Sequence, residues 1–155
     1  AMIGAVKSGQ VDAMTMVPHV AVPLDKAGAA KIIGWVNELG PYQVTTVFTS
    51  TKNTTTKAAL IKRFMTAYAK GIADYRAVML DQNKDPAATE AMVRLLHTYE
   101  KAAPGIKAGA VYMNGGAALD IKNVEAQLKW FQSQKLAPAS LKVDDLVAKG
   151  FAPIQ

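Results

Sequence analysis

The chain holds two histidines, His19 and His97, and only the second has a carboxylate at helical spacing, Glu100 three residues on. An i, i+3 pair puts two ligands on one helix face. A protein metal site needs three or four, and no His-x-x-x-His pair or further carboxylate cluster supplies the rest. The pair reads as helix surface, and no metal is expected. The absence of cysteine removes disulfides, thiolate metal sites and thiol nucleophiles together, which suits an oxidising compartment without demanding one. There is no G-x-S-x-G elbow and no G-x-x-x-x-G-K-[ST] loop. The stretch "MNGGAALD" at 113–120 lacks the strand-then-helix setting of a phosphate loop, so Gly115 and Gly116 read as a turn before a helix capped by Asp120. With no acid–base pair and no activated nucleophile, no catalytic residue and no cofactor is expected.

The net charge of +6 raises the possibility of nucleic acid as a partner, and its placement argues against one. Lysines fall singly, as at Lys7, Lys26, Lys31, Lys52, Lys57, Lys84, Lys107, Lys129 and Lys149, with no arginine stripe and no basic run interleaved with aromatics. A solvated, mildly basic surface is expected. Half of the 155 residues are hydrophobic and 19% are charged, which indicates one globular chain able to bury a core. No apolar run approaches the roughly 18 to 20 residues needed to cross a bilayer, and residues 1–20 lack the basic, apolar and small-residue zones of a signal peptide.

Two textures divide the chain. Up to about Ser50, short apolar runs alternate with turns. Val11 to Val17, Lys31 to Val36 and Val44 to Ser50 read as strands, the last being strongly β-branched. Pro18 is placed to open a short helix that Gly28 ends, and "NELGPYQ" at 37–43 is a turn cluster. Beyond Ser50 the pattern is helical. Thr or Asn caps lead into a long helix whose Leu60, Phe64, Tyr68, Ile72, Tyr75 and Met79 share one apolar face. Asp85 and Pro86 start another helix with Met92, Val93, Leu96 and Tyr99 facing inward, broken by Pro104 and Gly105. Ile121, Val124, Leu128 and Phe131 mark a third, and "VDDLVAKG" at 143–150 a short fourth. An α/β fold follows, with few short strands and a helix-rich C-terminal part.

The ordered segments also carry a resemblance. "AVKSGQVDAMTMVPHVAVPLDKAGAAKIIG" (5–34), "YQVTTVFTSTKNTTTKAALIKRFMTAYAKGIADY" (42–75) and "GAALDIKNVEAQLKWFQSQKLAPASLKVDDLVAKGF" (116–151) resemble, in order and spacing, segments of bacterial ABC-transporter solute-binding proteins. The likeness is to the nitrate/sulfonate/taurine group, which includes proteins similar to thiamine-precursor binders, and it covers nearly the whole chain. One departure is Lys135, where the family commonly has glycine. The resemblance implies a type II periplasmic-binding-protein-like architecture, incomplete here: residues 1–43 as the second half of the smaller lobe, 44–52 as a hinge and return strand, and 53–155 as the helical part of the larger lobe.

The same resemblance implies a cleft mouth formed by Thr15, Met16, Pro18 and His19, at a strand end and helix start where an anion meets free N–H groups, and by Thr45 and Thr46 on the hinge. Each has a plainer reading: Met16 as core, His19 as a surface helix start, the threonines as strand formers. The implied function is capture of a small organic molecule or oxyanion outside the bacterial cytoplasm and delivery to a membrane permease. Two alternatives stand beside it, an enzyme of the pyrimidine-synthase-like branch of the same fold and a helical protein-interaction module. As a chain beginning inside a lobe, it is expected to pair with a missing half or with itself, and not to be a stable ligand-binding monomer.

Overall fold

The computed structural model describes residues 2–40, 42–100, 106–107 and 109–155. Seven α-helices are present among them: α1 (Met2–Lys7), α2 (Pro18–Lys26), α3 (Thr51–Thr56), α4 (Ala58–Met79), α5 (Pro86–Tyr99), α6 (Ile121–Ser133) and α7 (Val143–Leu146), with 3₁₀ turns at Val36–Leu39 and Gly115–Ala117. The helix starts follow local chemistry. Pro18 occupies the first position of α2, where its missing N–H costs nothing. Asp85 and Asp120 cap α5 and α6 by accepting from Ala88 N and Asn123 N, each at 2.9 Å. Gly28, at φ +65°, ends the chain's run after α2 in the left-handed conformation that glycine adopts freely.

The expected α/β class is overturned. Among the described residues no strand forms, and the one piece of β pairing is an isolated parallel bridge between Leu119 and Ile154, closed by Leu119 N to Pro153 O at 2.9 Å and Gln155 N to Leu119 O at 3.0 Å. The Val11–Val17 and Val44–Ser50 segments are irregular, and Lys31–Val36 runs irregularly into the first 3₁₀ turn. Branched side chains favour an extended backbone, but a strand exists only when another supplies its ladder. None of the three finds one.

The chain divides into two compact units, Ala1–Glu38 with Tyr75–Tyr112 and Leu39–Asp74 with Met113–Gln155. In the first, Tyr75, Met79 and Val93 are buried, together with Thr89. The Thr89 hydroxyl is 3.1 Å from Val78 O, in the last turn of α4, and 3.0 Å from Asp85 O, so a buried polar group is satisfied at the α4–α5 junction. In the second, Met65, Ile72, Ala118 and Leu128 are buried.

The apolar face expected along α4 is half right. Ile72, Tyr75 and Met79 are buried, but Leu60, Phe64 and Tyr68 are 59%, 53% and 39% exposed, and Met65 is buried in their stead. Each step of four residues rotates about 40° around a helix, so the row from Leu60 winds away from the seven-residue line of Met65, Ile72 and Met79. On α5, Tyr99 is exposed, as is Phe131 on α6, each being the last member of its expected inward row. The expected break at Pro104 and Gly105 lies outside the described residues.

Candidate functional site

The start of α2 collects four of the residues expected at a cleft. Val17 is the N-cap and makes no side-chain capping bond. Val20 N and Ala21 N both reach Val17 O at 3.0 Å, Pro18 has no N–H, and the His19 N–H has no hydrogen-bond partner among the described residues. Thr15 is exposed, while Met16, Pro18 and His19 are half-buried. No protein hydrogen bond engages the Thr15 hydroxyl or the His19 imidazole among the described residues. Gly109 packs directly on this turn. A Cβ added there would lie 2.4 Å from Pro18 C and 2.5 Å from His19 N, so only glycine admits the approach.

Thr45 and Thr46 belong to the other compact unit and are exposed. What holds their segment is a polar cluster around Gln43 that sequence reading missed. Gln43 N donates to Asn123 Oδ1 at 2.8 Å, and Gln43 Oε1 accepts from Asp120 N at 3.1 Å. Gln43 Nε2 donates to Thr45 O at 2.8 Å, while Gln127 Nε2 donates to Gln43 O at 2.9 Å. Asn114 Nδ2 lies 3.4 Å from Gln43 Oε1 and donates to Ala118 O at 2.9 Å. The usable signal was Asn123 and Gln127, two amides at i, i+4 on the first turns of α6 behind an Asp cap.

Beside this cluster, Tyr42, Asn123, Ala126, Gln127, Trp130 and Phe131 line an open groove of about 360 Å³. Trp130 and Phe131 meet edge to face with ring centroids 5.1 Å apart, a favoured aromatic geometry.

Among the described residues, two titratable groups, Tyr75 and Glu90, are shifted, and both have structural causes. Burial pushes the Tyr75 hydroxyl up, partly offset by a backbone hydrogen bond from Val111. Glu90 is lowered by its hydrogen bond to Lys107 and by that ammonium's charge, with a smaller contribution from Arg94 against a desolvation cost. No cluster of three metal-ligating side chains exists among the described residues; His97 lies in the last turn of α5 with Glu100 just beyond. No helix among them is long and apolar enough to cross a membrane.

No protein-family model, no curated protein and no solved structure matches the chain. The His19 imidazole on α2 and the Thr15 hydroxyl just before it make no hydrogen bond among the described residues, and the amide-braced loop carrying Thr45 and Thr46 lies in the other compact unit.

Proposed function

We propose that the chain is the C-terminal portion of an extracytoplasmic solute-binding component of a bacterial ABC importer, capturing a small organic molecule or oxyanion for a membrane permease. The observation that carries this reading is the ordered run of segments from "SGQVDA" at 8–13 to "VDDLVAKGF" at 143–151, which resembles that family across nearly the whole length. The unengaged Thr15 hydroxyl and His19 imidazole at a helix start support it, since such a turn favours anions.

The test is a thermal-shift panel of nitrate, taurine and related sulfonates on the longest native polypeptide carrying this sequence. A ligand at a hundred times its dissociation constant adds about 2.7 kcal/mol of stability. His19→Ala should weaken that ligand by about 1 to 3 kcal/mol while leaving the unliganded midpoint unchanged. A flat panel, or equal affinity in the variant, counts against the site.

A second reading, a helical protein-interaction module, is favoured by the lack of any strand among the described residues and by the exposure of Leu60, Phe64 and Tyr68 on α4. A far-UV spectrum with no strand signal on that same polypeptide, together with a flat panel, selects it.

A further inference from the structure

Between Glu38 and Asp74 the chain has no carboxylate, yet it carries Lys52, Lys57, Lys62, Arg63 and Lys70. Elsewhere lysines find acids: Lys107 pairs with Glu90, Lys129 with Glu125 and Lys149 with Asp144. None of the five does so among the described residues. Lys62 is turned to Phe151, its Nζ 6.0 Å from the ring centre. The uncompensated charge sits beside apolar surface. Leu60, Phe64 and Tyr68 form an exposed row on α4 at four-residue steps, while Met65 and Ile72 are buried on another side of the helix. Phe64 and Tyr68 stack with ring centroids 6.0 Å apart. Lys57 and Arg63 each stand three residues from Leu60, and Lys70 lies two turns beyond Arg63, so exposed cations flank the row. All of these positions belong to one compact unit.

We infer that this face of α4 rests on an anionic lipid surface, with Leu60, Phe64 and Tyr68 entering the headgroup region and Lys57, Arg63 and Lys70 meeting the phosphates. Charge complementarity requires a negative partner, and three features select lipid over an acidic protein segment. The cations from Lys57 to Lys70 spread along about 20 Å of helix, at 1.5 Å per residue, with no carboxylate among them, which matches a plane of like-charged headgroups. Four of the five are lysine, whose point charge on a flexible stem suits mobile headgroups, whereas a fixed carboxylate is better met by the planar fork of arginine. Leucine and phenylalanine are side chains that interfacial helices bury between basic flanks, and tyrosine settles at headgroup level. No described helix is long and apolar enough to cross the bilayer, so α4 lies on it. The inference goes beyond solute capture, and it sets lipid where the second reading sets a protein.

Co-sedimentation of the 155-residue chain with vesicles tests this, using phosphatidylcholine alone and phosphatidylcholine with about one third phosphatidylglycerol. Binding to the second and not the first is expected, falling away as salt rises from about 50 to 500 mM. R63Q/K70Q should weaken it about thirtyfold. K62Q, the same kind of loss on the side turned to Phe151, should weaken it by less than about twofold. The chain has no cysteine, so L60C and T66C each accept a single polarity-sensitive dye. The dye at position 60 should shift to the blue on the anionic vesicles, and the dye at position 66, exposed on the far side of α4, should not. Absence of sedimentation, which is what a protein partner for this face would give, overturns the inference. So do equal binding to both kinds of vesicle, R63Q/K70Q binding as the parent does, and equal shifts at the two labelled positions.

Discussion

Gly109 lies against the Pro18–His19 peptide so closely that a side-chain carbon at 109 would fall 2.6 Å from Pro18 O. Gly109→Ala should therefore push the first turn of α2 aside and cost about 1 to 3 kcal/mol, read by urea denaturation. Gly71, inside α4 with nothing within 4 Å of an added Cβ, is the contrast. Gly71→Ala should stabilise by about 0.4 to 1 kcal/mol through the unfolded state. Equal effects at the two positions would contradict the approach seen at 109.

Thr89 is almost wholly buried, and its hydroxyl serves carbonyls at the α4–α5 junction. Thr89→Val keeps the shape and strands those carbonyls, so a loss of about 1 to 3 kcal/mol is expected. Thr89→Ser, which retains the hydroxyl, should lose less than Thr89→Val in the same denaturation series.

Tyr75 gives the fold an alkaline limit. Its folded pKa is raised by burial, so the unfolded chain gives up the phenolic proton first. Stability from this group is fully present below the ordinary tyrosine pKa of about 10 and falls as pH rises above it. Tyr75→Phe should flatten the stability profile between pH 9 and about 11, measured by chemical denaturation at each pH. A parent profile that rises over that range would show the sign to be wrong.

The helix starts were legible in the sequence because their causes are local: Pro18, Asp85 and Asp120 each act within one turn. The strands were not, because Val11–Val17, Lys31–Val36 and Val44–Ser50 show propensity while a ladder depends on a distant partner. The buried side of α4 was legible in its C-terminal half, at Ile72, Tyr75 and Met79, and not in the row from Leu60 to Tyr68. Of the candidate site, the helix start at Pro18 is where it was read, but the strand end expected to carry Thr15 and Met16 to it is irregular, and the Gln43 cluster joins residues 71 to 84 positions apart, beyond any local pattern.

Gln43 connects its loop to α6 through both backbone and side chain. Gln43→Ala removes the side-chain bonds to Asp120 N and Thr45 O and should cost about 1 to 3 kcal/mol. It should also raise hydrogen exchange at Asp120, read by mass spectrometry. Unchanged exchange there would mean that the cap holds without Gln43.

Native mass spectrometry of the longest native polypeptide carrying this chain, purified without added ligand, tests small-molecule capture most directly. The reading predicts one small molecule per chain, released unmodified on denaturation and retained less by His19→Ala. A bare chain that takes up none of the oxyanions or sulfonates, or a bound molecule released chemically altered, would contradict it.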